Sequence, residues 1–351
     1  MSYSLVDTDS ELRSPHRARP LDGSSCLFLV WGPESHGPRS IVFARELGLP
    51  TAFIHSTSRR GLFAGLLKYP AQGALTTLML ARKRPRVVFV QSPPSFAVMA
   101  AAVYSFILRR GYVIDAHSDA FQSWYWTRPK WLHRLLLRRA IATIVTNEAF
   151  AREVAAAGGA PLVIRDIPTS FPEGGRFESA PGSIVVVSTF AFDEPLQEVL
   201  RAATALPDVP FYVTGDSRRF KGALDDLPTN VYFTGFLTSP DYYALLRSSA
   251  AVMCLTTRDN TMQRGACEAL SLGKPIITSD WPLLKMYFSR GTIHVDNTAS
   301  DIASAITEML SRPEHYEAEI RQLQASQNAQ WQSSVDQLMR RLGSCRLEGE
   351  T

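Results

Sequence analysis

Along most of the chain, short continuous runs of apolar residues alternate with longer stretches of helical periodicity. In the first half the runs are residues 26–31 (CLFLVW), 86–91 (RVVFVQ), 111–118 (GYVIDAHS) and 142–147 (ATIVTN). Each is bounded by loop signals, the pattern of strands buried on both faces of a parallel sheet. The alternation pauses over residues 166–183, rich in Pro, Gly and Ser, which read as a linker. It resumes with residues 184–189, 210–215, 230–235, 250–257, 274–280 and 292–297. Strands alternating with helices in this way predict an α/β protein of two doubly wound parallel-sheet domains. The chain is then polar and helix-prone from Pro313 to about Leu342. The predicted organisation is a flexible tail over 1–25, a first domain over 26–168 and a linker over 169–182. A second domain covers 183–312, and a C-terminal helix and tail cover 313–351. No short-period repeat is visible.

In such folds ligands bind beyond the carboxyl ends of the strands, so those ends are where chemistry is sought. They carry Trp31-Gly32-Pro33, Asp115-Ala116-His117-Ser118, Gly215-Asp216-Ser217, Gly235-Phe236 and Thr257-Arg258-Asp259-Asn260, and both sets are predicted to face a cleft between the halves. After residues 250–257 a polar loop leads into a helix predicted from about Met262 to Leu272, stopped by Gly273. The free N–H groups and dipole at its start suit an anion such as phosphate. Glu268 sits about one and a half turns in, with Arg264 at i−4. A carboxylate there can accept two ribose hydroxyls, whereas a bare i,i+4 pair with Arg264 is worth only a few tenths of a kcal/mol. His117, flanked by Asp115 and Asp119, closes a strand and is placed to polarise a hydroxyl or stabilise developing charge. Gly32, Pro33 and the following ESHGPRS form a loop whose glycines let backbone approach a ligand, but the three-glycine dinucleotide spacing is missing.

Composition adds a limit and charge adds a partner. With 45% hydrophobic and 20% charged residues the chain reads as a soluble globular protein. Its longest strongly apolar stretch, residues 96–108, falls short of the ~18 residues a membrane span needs. The N-terminus lacks a charged-then-apolar signal peptide. Cys26, Cys254, Cys267 and Cys345 show no ligand spacing and read as reduced thiols of a cytoplasmic protein, with no zinc or other metal site. No acid lies between Glu46 and Asp115, nor between Asp119 and Glu148. Residues 47–147 carry fourteen Lys and Arg against two Asp, +12 of a chain whose net charge is +4. Such asymmetry calls for an anionic partner. Within it, WYWTRPKWLHRLLLRR (124–139) joins aromatics to bases: Trp124, Trp126, Arg128, Lys130, Trp131, Arg134 and Arg138. As a helix it presents Lys130, Arg134 and Arg138 on one stripe and Leu132, Leu135 and Leu136 on another. Aromatics beside bases suit the edge of an anionic bilayer, where each base adds ~1 kcal/mol. No nucleic-acid-binding module accompanies the bases, so nucleic acid is not an expected partner.

One stretch resembles a known family. CEALSLGKPIITSD (267–280), with Glu268-Ala269-Leu270 and then Gly273-Lys274-Pro275-Ile276-Ile277, is similar to the family-four glycosyltransferases of the two-domain GT-B fold. Their second domain typically reads Glu, seven residues, Glu-Ala-Met, then Gly-x-Pro-Val-Ile. Residues 230–257 and the strand ending at His117 also resemble the family, and the likeness runs from about Cys26 to Leu310. It implies two doubly wound Rossmann-like domains facing a cleft, and a UDP- or GDP-sugar donor as substrate with no cofactor. The donor would be held by Glu268, Arg264, Asn260, Thr261, Met262, Gln263 and Gly265. Gly215, Asp216, Arg218, Arg219, Lys221 and Phe236 would join them, with Gly32 and Pro33 from the first domain. His117 would contact the donor sugar, with Asp115 and Asp119 beside it.

The sequence departs from the family in two places. The first Glu of the motif falls on Asn260, and the Arg and Lys that clamp the diphosphate are replaced by STFAFDEPLQ (188–197), which offers Ser188, Thr189, Asp193 and Glu194. Arg264, Arg218, Arg219 and Lys221 are candidate substitutes. The reading is a metal-independent hexosyltransferase at the cytoplasmic membrane face, passing a sugar to a lipid-linked or glycan acceptor in bacterial polysaccharide biosynthesis. Two readings stand beside it: a non-catalytic nucleotide- or lipid-binding subunit, which Asn260 and the missing clamp favour, and a GT-B sugar-nucleotide epimerase, which leaves the basic half without a purpose.

Overall fold

The structure is a computed structural model that describes residues 2–6, 25–32, 38–55, 62–164, 171–220, 227–259 and 261–347. The chain divides into two compact units, Met1–Pro168 with Gln330–Thr351, and Thr169–Ala329.

The first unit holds β1 (Ser2–Val6), β2 (Cys26–Val30), β3 (Thr51–His55), β4 (Val87–Ser92), β5 (Gly111–Ala116), β6 (Ala142–Val145) and β7 (Pro161–Val163). Its helices are α1 (Pro38–Glu46), α2 (Leu62–Lys83), α3 (Ser95–Leu108), α4 (Asp119–Gln122), α5 (Lys130–Arg139) and α6 (Glu148–Ala156). The sheet order is β1-β3-β2-β4-β5-β6-β7, parallel except for β1. Side chains of β2 alternate between its faces. Leu27 and Leu29 join the core under α2, α3 and α5, while Cys26, Phe28 and Val30 join the core under α1. That second core is completed by Trp331, Val335, Leu338 and Leu342 from the chain's last helix, with Trp331 edge-on to Phe43 at 5.8 Å.

The second unit holds β8 (Ile184–Val186), β9 (Phe211–Thr214), β10 (Val231–Gly235), β11 (Ala251–Cys254), β12 (Ile276–Ser279) and β13 (Thr292–Val295), all parallel in the order β10-β9-β8-β11-β12-β13. Its helices are α7 (Leu196–Ala205), α8 (Ser239–Ser248), α9 (Arg264–Ser271), α10 (Pro282–Tyr287) and α11 (Ala299–Ser311). The chain ends in α12 (Pro313–Leu347), whose first part belongs to this unit and whose residues from Gln330 belong to the first. The second sheet shows the 3-2-1-4-5-6 order of doubly wound folds, and the first, leaving β1 aside, runs 2-1-3-4-5-6. Their switch points fall between β2 and β4 and between β8 and β11.

Three expectations need correction. The segment assigned to a flexible tail contains β1, which pairs antiparallel with β3 from Ser2 opposite His55 to Val6 opposite Thr51. A sheet edge offers unpaired N–H and C=O groups to any extended segment that reaches it, whatever that segment's polarity. The segment set apart over 313–351 as a helix and tail is helical as expected, but its Trp and aliphatic residues complete the first unit's core. On α5 it is Leu136 and Leu137 that are buried, whereas Leu135 faces outward between Arg134 and Arg138.

Predicted strands also end early. β5 stops at Ala116, β8 at Val186 and β11 at Cys254, and beyond β8 and β11 main-chain N–H groups turn to side chains instead of a neighbouring strand. Thr256 N–H, for example, donates to Ser279 Oγ at 2.8 Å.

Candidate functional site

At the carboxyl end of the first sheet, three side chains from two elements meet. Asp115 closes β5 and is buried. Ser40, in the first turn of α1 after switch-point strand β2, donates from Oγ to Asp115 Oδ2 at 2.9 Å. His117 Nε2 lies 3.2 Å from both Asp115 Oδ2 and Ser40 Oγ. Because the Ser40 proton is directed to the carboxylate, the network assigns a hydrogen to Nε2, and in the neutral imidazole Nδ1 then carries the lone pair. The His117 main chain is fixed as well, its N–H donating to Ser92 O of β4 at 2.8 Å. The imidazole side chain keeps 26% of its surface exposed while Asp115 keeps 1%, so the charge is inside and the adaptable group is presented.

The sequence puts Asp115 and His117 at one strand end, the structure shows them in contact, and it adds Ser40. It lies within the quoted ESHGPRS loop, but only the packing of α1 shows which of those residues reaches the histidine. Asp119 stands apart, exposed at the start of α4, with its main-chain oxygen engaged by Ser123 N–H. Gly32 follows β2 as expected, and Pro33 lies outside the described residues.

Around these strand ends runs an aromatic row. Trp31 stacks on Tyr69, Tyr69 packs on Phe96 with centroids 4.8 Å apart, and Phe96 and Trp126 meet edge to face. Trp126 is thereby half-buried, while Trp124 and Trp131 are exposed, as are Arg128, Lys130, Arg134 and Arg138.

In the second unit the site is built around α9, which follows β11 at the switch point. Gly265 sits so close to the sheet that a Cβ there would meet Val187 Cγ1 at 2.7 Å and Cys254 Sγ at 2.8 Å. The missing side chain therefore serves helix–sheet packing and brings the helix start down between β8 and β11. The helix ends in a Schellman arrangement: Gly273, at φ +68°, donates to Leu270 O, and Lys274 N–H donates to Ala269 O at 2.9 Å.

Between these ends Glu268 is held on both oxygens. Arg264 Nε donates to Oε1 at 2.9 Å and Tyr242 of α8 donates its hydroxyl to Oε2 at 2.8 Å. Burial, and then the carboxylate beside it, hold the Tyr242 hydroxyl well above the usual tyrosine range, so it stays a donor at any physiological pH. A carboxylate oxygen has two lone-pair sites, so each Glu268 oxygen retains room for one more donor, and 12% of the side chain remains exposed to receive it. Tyr242 had no sequence signal beyond its place on a helix before β11.

The loop after β8, where the resemblance looks for a basic clamp, is filled by the chain's own acids. Glu194 accepts from Ser188 Oγ at 2.6 Å and from the N–H and Oγ1 of Thr189, and Asp193 accepts from Thr256 Oγ1 at 2.9 Å. Gly215, at φ +102°, lets the end of β9 approach Ser188 O, which a Cβ would meet at 2.2 Å. Asp216 holds Arg218 in a two-pronged pair at 2.7 and 3.0 Å, so this candidate substitute for the clamp is already engaged. Arg219 and Phe236 are exposed, Thr261 bonds back to Asp259 O, Met262 leans on the core, and Gln263 caps α9 without a side-chain bond. Asn260 and Lys221 lie outside the described residues. Among the described residues no three His, Cys, Asp or Glu side chains gather in a metal-holding group.

Comparison with known proteins adds to this geometry. Residues 23–169 match the glycosyl transferase 4-like domain family, and residues 194–340 match a glycosyl transferase-like family. A search of curated proteins finds no match. Among solved structures the fold is similar to HepE of Anabaena in complex with UDP, at 16% identity over 91% of this chain and 100% of that one, with a TM-score of 0.64. It is similar also to a glycosyltransferase of Rickettsia africae, at 11% identity over 90% and 98% of the chains and a TM-score of 0.60. A putative UDP-N-acetylglucosamine 2-epimerase of Listeria monocytogenes shares the fold at 10% identity over 92% and 97%, also with a TM-score of 0.60.

Proposed function

The chain is a family-four-like glycosyltransferase of the GT-B fold, and from that premise we propose that it transfers a sugar from a UDP-sugar to a lipid-linked or glycan acceptor at an anionic membrane face. The observation that carries the donor half of this reading is Glu268, a carboxylate fixed from both sides at a switch-point helix with one acceptor position left on each oxygen. Vicinal ribose hydroxyls supply two such donors. The open N–H groups at the start of α9, with Arg264 beside them, suit the diphosphate. UDP complexes of HepE, a protein of the same fold, support the choice of uracil. His117, oriented by Asp115 and Ser40, is the group available to handle a proton or meet charge at the transferring sugar.

The acceptor half rests on the first unit's charge, +12 over residues 47–147. A free sugar nucleotide is itself anionic but small, and an epimerase has no use for fourteen bases on the other unit. The deciding experiment incubates the full chain with a panel of UDP-sugars, with and without lipid extract, and follows the sugar by NMR. Transfer that needs the extract supports the proposal, a new free UDP-sugar shows an epimerase, and UDP binding without turnover shows a binding subunit. Reversal of Lys130, Arg134 and Arg138 to Glu tests the membrane face. At ~1 kcal/mol for each base near a lipid surface, it should release the protein from anionic vesicles.

A further inference from the structure

Helix α3 covers the first sheet with one side only. Ala97, Val98, Ala101, Tyr104 and Ser105 are buried against it. The opposite side of a surface helix normally carries charged and polar residues, and a helix apolar all round is normally enclosed. α3 (SFAVMAAAVYSFIL) has no charged residue, yet it is not enclosed. Phe96, Val103, Phe106 and Ile107 are exposed, with Phe106 at 81% and Ile107 at 66%. At about 100° per residue these four fall within about 100° of arc, a single outward stripe. The neighbouring α5, which packs on α3, presents Trp131 (68% exposed) and Leu135 on its outer side between Arg134 and Arg138.

The charge around this stripe has one sign. Arg82 and Lys83 end α2, Arg84 and Arg86 precede β4, Arg109 and Arg110 follow α3, and Arg138 and Arg139 end α5, all of them exposed. In a parallel α/β layer the ends of helices and the starts of strands share one edge, so these bases gather where β4, β5 and β6 begin. No acid lies on α2, on α3 or in the turns beside them. Asp115 is buried, and Asp119 opens α4 at the opposite edge.

We propose that this flank of the first unit is a seat on an anionic bilayer, with α3 lying in the membrane plane. Val103, Phe106 and Ile107 enter the apolar boundary, and the basic edge meets lipid phosphate. Trp124, Tyr125 and Trp131, exposed amphipathic rings, take headgroup positions. The charge argues for lipid over a second copy of the chain, since a self-interface would bring two basic edges together at a repulsive cost. This deepens the membrane-facing reading above and rests on it. It adds a second, uncharged component of binding and assigns it to a helix.

The test uses the full chain with vesicles of phosphatidylcholine alone and of phosphatidylcholine with phosphatidylglycerol. The variant is Phe106→Ser with Ile107→Ser, which alters two exposed side chains and no charge. At about 0.5 M salt the screening length is only a few Å, so the binding that persists reports apolar insertion. The double variant should lose about tenfold or more of that salt-resistant binding, while it still binds the mixed vesicles in a salt-sensitive way at low salt and its UDP titration stays as in the wild type. Salt-resistant binding unchanged in the double variant overturns the assignment to α3. So does a wild-type dimer at sedimentation equilibrium that the double variant converts to monomer, because the flank is then a self-interface. Equal binding of the wild type to both vesicle compositions, with no effect of the Lys130, Arg134 and Arg138 reversal, refutes the anionic membrane reading itself and the seat with it.

Discussion

The two strand-end sites use the same pieces in opposite arrangements. In the first unit the carboxylate is buried and the histidine it orients is presented, whereas in the second the carboxylate is presented and a tyrosine and an arginine hold it. The difference teaches what each can do. A presented imidazole with one nitrogen fixed by Asp115 and Ser40 offers a defined proton acceptor. A presented carboxylate fixed on both oxygens offers two acceptors at a set angle, an arrangement suited to paired hydroxyls. The proposed function accordingly assigns chemistry to the first arrangement and recognition to the second.

That contrast can be broken by substitution. His117→Ala should lower turnover about 10²-fold or more, the range for a positioned acid–base or electrostatic group, with UDP affinity nearly unchanged. Steady-state rates alongside calorimetric titration of UDP check both halves, and a parallel loss of affinity would merge the two roles. Glu268→Gln should do the reverse, weakening UDP binding by about 1–3 kcal/mol through the loss of charge-assisted hydrogen bonds. An unchanged titration in the folded variant would reduce Glu268 to a partner of Arg264. Tyr242→Phe keeps the ring and removes only the hydroxyl that fixes Oε2, so UDP affinity should fall by roughly 1 kcal/mol. Tyr242 is a positioning residue. Combining Tyr242→Phe with Glu268→Gln should therefore cost less than the sum of the two, and strict additivity would show that the tyrosine acts elsewhere. The smallest effect is expected for Arg264→Gln on thermal stability. Its pair with Glu268 is an i,i+4 contact with the arginine 58% exposed, so loss of the pair should cost only a few tenths of a kcal/mol, read as a small shift of the melting midpoint.

Much of the fold was legible because buried parallel strands leave an unmistakable trace, continuous apolar runs between helical stretches. Ten of the runs named from the sequence overlap strands of the two sheets. β3, β7 and β1 escaped for separate physical reasons. TAFIH mixes Thr and His into a short run, PLV spans three residues, and SYSLV is a strand only because an edge was there to pair with. The site was legible to the extent that chemistry sits next to its own strand. Asp115 and His117 lie two residues apart on β5 and its exit, and Glu268 and Arg264 lie one turn apart on α9. Ser40 and Tyr242 escaped because each arrives from another element, 75 and 26 residues away along the chain.

The sequence by itself determined the α/β class, the doubling of the domain, the strand ends where the candidate groups lie and the concentration of bases in the first half. All of these depend on local periodicity or on composition, which a linear string records. Only the tertiary structure decided which oxygen of Glu268 meets which donor, that the clamp loop is occupied by Glu194, and that α3 is half uncovered. An apolar helix has the same sequence whether its outer side is enclosed by protein or left exposed. Which of the two holds depends on the neighbours the fold brings to it, and around α3 the fold brings α2 on one side, α5 on the other and, among the described residues, nothing over Phe106.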